Sequence, residues 1–195
     1  AGIDILRSKS LDRNSFDSGD WFNRIDWTYR DNYFATGLPR KQDNGNDYAL
    51  IKPILDNTNI KPTSKEILWT RDAFRDLLKI RASSSLFRLH NTEEIKSRLK
   101  FYNTGALQEP TVIIGHLDGK NYPDAGFSEL VYFINVDKAE HDIRIAELQN
   151  KKFVLHPVHR AASAADKRIA QSAEYIAVDG GFVIPARSAV VFVVQ

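Results

Sequence analysis

The sequence contains no cysteine and no methionine. Without cysteine, the chain cannot form a disulfide, a thiolate metal site or a cysteine nucleophile. It also lacks any apolar run approaching the roughly 20 residues that a membrane-spanning helix requires. These absences argue against the disulfide-rich, thiol-dependent and membrane-spanning classes of protein.

An excess of charge of one sign is missing as well. Lysine and arginine number 27 against 25 aspartates and glutamates, a net charge of +2 at pH 7, and the two signs are interspersed. A nucleic-acid-binding protein needs a basic face. A nucleic-acid-binding β-barrel would rest only on a basic isoelectric point and the aromatic content, so nucleic acid is not an expected partner.

What remains is the composition of a globular protein, with 43% hydrophobic and 27% charged residues in 195 positions. This length corresponds to one large domain or two small ones. Residues 1–64 are rich in Asp, Asn, Ser, Gly and aromatic residues without a sustained period. They predict a long loop with short helical turns, and such loops in compact domains are usually functional.

Two helices follow from the pattern in the middle of the chain. Apolar residues recur at steps of three or four over residues 65–81, which predicts an amphipathic helix. Thr63 followed by Glu66 predicts a capping box at its start. A shorter helix is predicted at 92–99, with Asn91 as its N-cap.

From about residue 98 the period shifts towards two and β-branched residues dominate. Short strands separated by turn signals predict an antiparallel β-sandwich, so the expected class is α+β. The change of pattern places the boundary between the two halves near 85–97. The predicted strands are Leu99–Tyr102, Thr111–Leu117, Glu129–Val136, His141–Leu148, Phe153–His156, Glu174–Val178, Gly181–Ile184 and Ser188–Val194.

Residues 16–34 hold seven of the 21 aromatic residues, interleaved with Asp, Asn and Arg. Aromatic faces beside planar hydrogen-bonding groups suit a sugar ring, whose faces are apolar and whose rim carries hydroxyls. Asp20 and Arg24 are four residues apart, so in a helical turn they would share a face, and an ion pair there would orient both towards a ligand. The alternative is that the aromatics pack the loop onto a neighbour while the charges stay in water.

Metal sites have weaker support. His156 and His159 are three apart, but Pro157 is expected to interrupt helical geometry and no third ligand is near, so no metal site is predicted. A second group resembles a calcium loop in composition but lacks its spacing. That group is Asp12, Asn14, Asp17 and Asp20. Paired carboxylates are what glycoside hydrolysis needs, yet nothing in the residues alone shows which two would face each other.

Two segments near the start of the chain, AGIDILRSKS at 1–10 and SLDRNSFDSGDWFNR at 10–24, resemble a known family. They are similar to the end of the eighth strand and the following loop of bacterial pullulanases and plant limit dextrinases, starch-debranching enzymes of the α-amylase superfamily. The likeness extends over essentially all of the chain. It continues at Gly37–Pro39, Leu50–Pro53, Leu77–Arg81, Leu86–Leu89, Asn103–Gly105, Leu155–Val158 and Ile184–Arg187.

This resemblance implies a fold and an activity. Residues 1–90 would be the end of a (β/α)₈ barrel, comprising the loop after strand 8 and the last helix, and residues 91–195 a C-terminal β-sandwich. In such barrels the active site lies at the C-terminal ends of the strands. The implied activity is hydrolysis of α-1,6-glucosidic bonds in pullulan, starch or limit dextrins by a retaining mechanism. The implied partners are an α-glucan and the rest of the barrel.

The same resemblance implies that this segment binds rather than cuts. The family's catalytic Asp, Glu and second Asp would lie upstream of Ala1, so the chain alone is expected to be inactive. Asp20 and Arg24 match the pair that hydrogen-bonds a glucose just beyond the cleaved bond, on its non-reducing side. The residues implied to form the loop or support this pair are Trp21, Phe22 and Asn23.

Some points depart from the family or stay open. Tyr33 and Phe34 stand where relatives usually carry Asn and Trp, so a stacking contact there is expected to differ. The resemblance implies no cofactor in this segment and leaves calcium open for the longer parent enzyme. Family members are secreted or on the cell surface in bacteria and plastid proteins in plants, which leaves the compartment unassigned. The alternative function is a non-catalytic carbohydrate-binding or structural β-sandwich module.

Overall fold

The computed structural model describes residues 1–195 and divides them into two compact units, Ala1–Phe74 and Arg75–Gln195. The division falls within a long helix, α4 (Ser64–Ala82). The predicted domain division between residues 90 and 91 stays a prediction.

The first unit is built from loop, 3₁₀ turns and short helices. This agrees with the expectation of a long loop with short helical turns. Its helices are α1 (Gly19–Asn23), α2 (Lys41–Asn44), α3 (Tyr48–Leu55) and the first part of α4.

The capping signals in the sequence mark where two helices start. At the start of α4 the backbone N–H of Thr63 donates to a carboxylate oxygen of Glu66 at 2.8 Å, the predicted capping box. The next helix, α5 (Thr92–Arg98), begins where Asn91 Oδ1 accepts from the N–H of Glu94 at 2.9 Å. Both predicted helices are therefore confirmed.

The second unit is dominated by antiparallel strands in two sheets. The five-stranded sheet has the order β1-β2-β3-β8-β5 and the three-stranded sheet the order β4-β7-β6. Every predicted strand has a counterpart. The strands are β1 (Leu99–Tyr102), β2 (Val112–Asp118), β3 (Glu129–Asn135), β4 (His141–Arg144), β5 (Val154–Leu155), β6 (Glu174–Ile176), β7 (Gly181–Ile184) and β8 (Ser188–Val194).

Three buried phenylalanines join the two sheets into a sandwich. Phe133 on β3 and Phe192 on β8 belong to the larger sheet, and Phe182 on β7 belongs to the smaller one. The ring centroid of Phe182 lies 4.8 Å from that of Phe133 and 5.3 Å from that of Phe192. Tilted and edge-on ring pairs at such distances stabilise a core beyond the area they bury. One shared apolar core thus confirms the predicted sandwich.

Several predicted strands are shorter than expected, and the largest difference is in β4. The stretch His141–Leu148 is a strand only as far as Arg144. Its partner β7 is four residues long, and the pairing of the two strands ends where Arg144 meets Gly181. The next N–H, that of Ile145, bonds instead to the carbonyl of Gly180 at 3.0 Å, and Ala146–Leu148 forms a 3₁₀ turn.

The expectation that Pro157 interrupts helical geometry is wrong. Proline begins a short helix, α6 (Pro157–Arg160), in whose first turn the missing N–H costs nothing and the fixed φ is already helical. A further helix, α7 (Lys167–Ser172), begins where the side chain of Asp166 caps its first turn, and the sequence pattern did not predict it.

His156 and His159, at the start of α6 and within it, are buried, and their imidazoles accept hydrogen bonds from backbone N–H groups. Nδ1 of His156 accepts from the N–H of Val158 at 3.2 Å, so Nε2 carries the proton and donates to Ser83 Oγ at 3.0 Å. Nε2 of His159 accepts from the N–H of Val191 at 3.2 Å. Burial lowers the pKa of each imidazole to about 4.

We expect the stability of this unit to fall as the pH drops from 6.5 towards 4. The unfolded chain binds protons on His156 and His159 near pH 6.5, whereas the folded chain resists protonation until about pH 4. The stability is complete above pH 6.5, and each histidine removes roughly 3 kcal/mol on full titration. Charges facing them come from Arg160, Asp76 and Asp166.

The measurement is urea unfolding between pH 5 and 7, a range in which exposed carboxylates hardly titrate. Replacing His159 by Gln should flatten the pH dependence by about one proton. An equal slope in wild type and the His159→Gln variant would contradict the prediction.

Candidate functional site

The predicted binding residues lie in and directly after α1. Asp20 is exposed in the first turn of the helix, and its carbonyl accepts the N–H of Arg24 at 2.9 Å. Arg24 itself has extended backbone, with ψ at 154°. Because α1 ends before Arg24, the Arg24 side chain does not lie on the helical face that the four-residue spacing predicts it to share with Asp20.

The guanidinium of Arg24 lies over two aromatic rings. Its central carbon is 4.4 Å from the ring centroid of Trp21 and 3.8 Å from that of Tyr33. A cation over an aromatic face is attracted by the ring quadrupole. The predicted ion pair with Asp20 is not formed, because the guanidinium is stacked on the rings instead. Its Nε is buried without a hydrogen-bond partner.

The other residues implied at the site brace the loop in different ways. Trp21 is 54% exposed, and its indole N–H donates to the carbonyl of Thr36 at 3.0 Å. Asn23 donates from Nδ2 to the carbonyl of Ser15 at 2.6 Å and to that of Gly19 at 2.9 Å. Phe22 is half-buried. Asn23 therefore stabilises the loop around α1, while Trp21 both anchors it and supports Arg24.

Tyr33 is a residue that sequence reasoning noted only as a departure from the family. Its backbone is left-handed, with φ at 60°. Its N–H donates to Asp31 Oδ1 at 2.8 Å, and its carbonyl accepts from Ser10 Oγ at 3.1 Å. The contact with Arg24 had no local signal, since it depends on this backbone conformation and on a serine 23 residues earlier.

Asp31 is in turn held by Lys61, whose Nζ lies 3.0 Å from a carboxylate oxygen. Partial burial alone would raise the pKa of Asp31, but the hydrogen bond from Lys61 and the one from Tyr33 outweigh it and hold the pKa below its usual value. The carboxylate therefore stays ionised and keeps both contacts at neutral pH.

A further carboxylate shapes the turn between α1 and Tyr33. Asp26 accepts from the hydroxyl and N–H of Thr28 and from the N–H groups of Arg30 and Asp31, at 2.6–2.9 Å. The hydrogen bond from the Thr28 hydroxyl is the main reason that the pKa of Asp26 lies far below its ordinary range. Both carboxylate oxygens of Asp26 accept hydrogen bonds from the loop, so this side chain is assigned to the structure of the turn and not to ligand binding.

Beside α1 is a polar cavity of about 430 Å³. Its wall includes Asp12, which accepts from Ser18 and from Nδ2 of Asn44, the latter at 2.9 Å. Burial alone would raise the pKa of Asp12, but these hydrogen bonds lower it below its usual value. At its rim, Phe16 is 95% exposed.

The four residues whose composition resembles a calcium loop do not converge. Asp12 is occupied by its hydrogen bonds, and Asp17 pairs with Arg40 at 2.7 Å. No group of three or more histidine, aspartate or glutamate side chains is arranged to hold a metal ion. No helix is long and apolar enough to cross a membrane.

Taken together, this arrangement is suited to binding. An exposed carboxylate at Asp20 and a guanidinium fixed by two rings lie within five residues of one another. Both groups can bond neighbouring hydroxyls of a polyol. The side chain of Trp27, 69% exposed, adds an apolar face in the same loop.

Comparison with known proteins points to one family. The family model of alpha-1,6-glucosidases, pullulanase-type, C-terminal, matches residues 29–195. Pullulanase 1 of Arabidopsis thaliana, a chloroplastic protein, is 42% identical over 99% of this chain. A pullulanase of Klebsiella aerogenes is 38% identical over 60% of the chain.

Solved structures agree with this assignment. The crystal structure of PulA from Klebsiella oxytoca matches 99% of the chain with a TM-score of 0.84 and 29% identity. The Klebsiella pneumoniae pullulanase complexed with maltotriose matches with the same score and 30% identity. A Bacillus acidopullulyticus pullulanase, at 15% identity and a TM-score of 0.59, shares the fold.

The chain spans only part of these proteins. It covers 20% of the Arabidopsis protein, 11% of the Klebsiella aerogenes protein and 18% of the Klebsiella oxytoca chain. The matches lie within pullulanases of much greater length. The chain belongs to the family of pullulanase-type alpha-1,6-glucosidase C-terminal regions.

Proposed function

We propose that this chain is the C-terminal portion of a debranching glycosidase that hydrolyses α-1,6-glucosidic bonds in pullulan, starch or limit dextrins. In this proposal residues 1–90 complete a (β/α)₈ barrel and residues 91–195 form a sandwich that stabilises it. The segment binds substrate through Asp20 and Arg24. The catalytic carboxylates belong to another part of the longer protein.

The observation that carries the proposal is the guanidinium of Arg24, held over two aromatic rings in a loop that also carries the exposed carboxylate of Asp20. A glucose residue offers adjacent hydroxyls on its rim, and a planar guanidinium and a carboxylate can each bond two of them. The loop that carries this pair follows the position expected of a barrel's eighth strand, where ligands meet the C-terminal ends of the strands. A homologue complexed with maltotriose adds support for an α-glucan as the ligand.

The proposed reaction of the parent enzyme is a double displacement with retention. One carboxylate attacks the anomeric carbon and forms a covalent bond to it, while a carboxylic acid protonates the oxygen of the α-1,6 bond that breaks. The deprotonated acid then takes a proton from water, which attacks the anomeric carbon and releases the first carboxylate. Asp20 and Arg24 take no proton in this scheme. Their hydrogen bonds hold the glucose next to the cleaved bond in place, which lowers the entropic part of the barrier.

The 195-residue chain alone should release no reducing sugar from pullulan, whereas the full-length protein that carries it should do so readily. The reason is that the proposed nucleophile and acid are supplied from outside this segment. The measurement is a reducing-sugar assay on both proteins at equal molar concentration. Hydrolysis by the isolated chain, or its absence in the full-length protein, would contradict the proposal.

Replacing Asp20 by Ala in the full-length protein should lower kcat/KM for pullulan by about tenfold or more, because charged hydrogen bonds to the substrate are lost. Asp17 offers a matched control, since it is an exposed aspartate in the same loop whose partner is Arg40. Its replacement by Ala should leave kcat/KM within about twofold, as exposed ion pairs contribute little. Equal kinetics for the Asp20 variant and wild type would refute the assigned role.

A further inference from the structure

We infer that Tyr33 is a positioning residue for substrate binding, which acts by holding the guanidinium of Arg24 in one plane. This inference rests on the proposed function and assigns a role to a residue outside the α1 segment. Its basis is the contact of a single guanidinium with the faces of two aromatic rings from different parts of the loop.

The geometry leaves Arg24 little freedom. The two ring centroids lie 3.8 Å and 4.4 Å from its central carbon, so both rings lie within cation–π distance of the guanidinium. A guanidinium donates its hydrogen bonds in its own plane. With Tyr33 and Trp21 holding that plane, the donors are aimed at acceptors that approach the edge of the group.

The ring of Tyr33 lies against Arg24 in a backbone conformation that is unfavourable for tyrosine. A tyrosine with φ at 60° occupies a backbone region that aromatic residues rarely adopt. The conformation persists because the backbone of Tyr33 is bonded on both sides, by Asp31 and by Ser10. The Nε of Arg24 is also left buried without a partner. A buried donor without a partner is an unfavourable feature of the kind that the surrounding structure maintains at functional sites.

A fixed guanidinium favours binding because arginine has a long, flexible side chain. Ordering that side chain when a ligand arrives would consume binding free energy. Here the aromatic rings order it in advance, so hydrogen bonds to the ligand form without that loss. Tyr33 therefore determines how strongly Arg24 contributes, although its ring need not touch the sugar.

Tyr29 provides an internal comparison. It has the same φ of 60°, and its ring also packs against an arginine, with the guanidinium carbon of Arg71 4.7 Å from the centroid. Arg71, however, is already bonded to Asp72 at 2.9 Å and 3.0 Å. Tyr29 thus joins the loop to α4 within the first unit and is not part of the proposed binding pair.

The test is the kinetics of pullulan hydrolysis by the full-length protein with single replacements at Tyr33. Asn tolerates a left-handed backbone and removes the ring, Leu keeps apolar bulk without a π face, and Phe keeps the ring. We expect kcat/KM to fall about tenfold for Tyr33→Asn and Tyr33→Leu and to stay within about twofold for Tyr33→Phe. In an Arg24→Ala background, the Tyr33 replacements should cause no further loss.

Tyr29→Asn is the matched control, and we expect it to lower the melting temperature without the tenfold loss in kcat/KM. Similar losses for the Tyr29 and Tyr33 variants, or an undiminished effect of Tyr33→Asn in the Arg24→Ala background, would show a general loop effect and overturn the inference. If Asp20→Ala lowers kcat/KM but neither Tyr33→Asn nor Tyr33→Leu does, the inference fails while the proposed function stands. A wild-type protein without debranching activity would overturn both.

Discussion

The first unit depends on one constraint, which is that every buried backbone polar group needs a hydrogen-bond partner. With no strand and only short helices in most of residues 1–63, side chains supply those partners. Buried Asn32 shows the principle, since its Nδ2 donates to the carbonyl of Leu6 at 2.9 Å while its Oδ1 accepts from the N–H of Phe34 at 3.0 Å. Asp26 and Asp31 do the same for neighbouring turns. The abundance of Asp, Asn and Ser in this unit is therefore structural in the first place.

The position of Arg24, one of the two proposed binding residues, depends on that network. Asp31 and Ser10 hold the backbone of Tyr33, Tyr33 and Trp21 hold Arg24, and Thr36 holds the indole of Trp21. The site is thus assembled from side chains whose own positions are determined by backbone hydrogen bonds. A ligand that meets such a loop finds donors and acceptors already arranged, which spares the free energy of ordering them.

The sequence predicted those features whose signal lies within a few residues. The capping box at Thr63 and the N-cap at Asn91 located two helix starts, and the period of two located the strands. Both signals depend on neighbouring positions. Helix α7 was not predicted because six residues are too few to show a helical period. The length of β4 was not predicted because it depends on a partner strand some forty residues away. The candidate residues Asp20 and Arg24 came from the family resemblance, but the true partners of Arg24 depend on contacts with distant parts of the loop.

In the loop, the side chains that hold the backbone differ from those that are exposed, and this affects which positions can be substituted. The shape of the loop depends mainly on Asp, Asn and Ser side chains bonded to backbone, whereas Phe16 and Trp27 project into solvent with most of their surface exposed. Mutations at such projecting positions alter the outer surface while the hydrogen-bonded frame is inherited unchanged. The outer surface of the loop can therefore change while the unit stays folded.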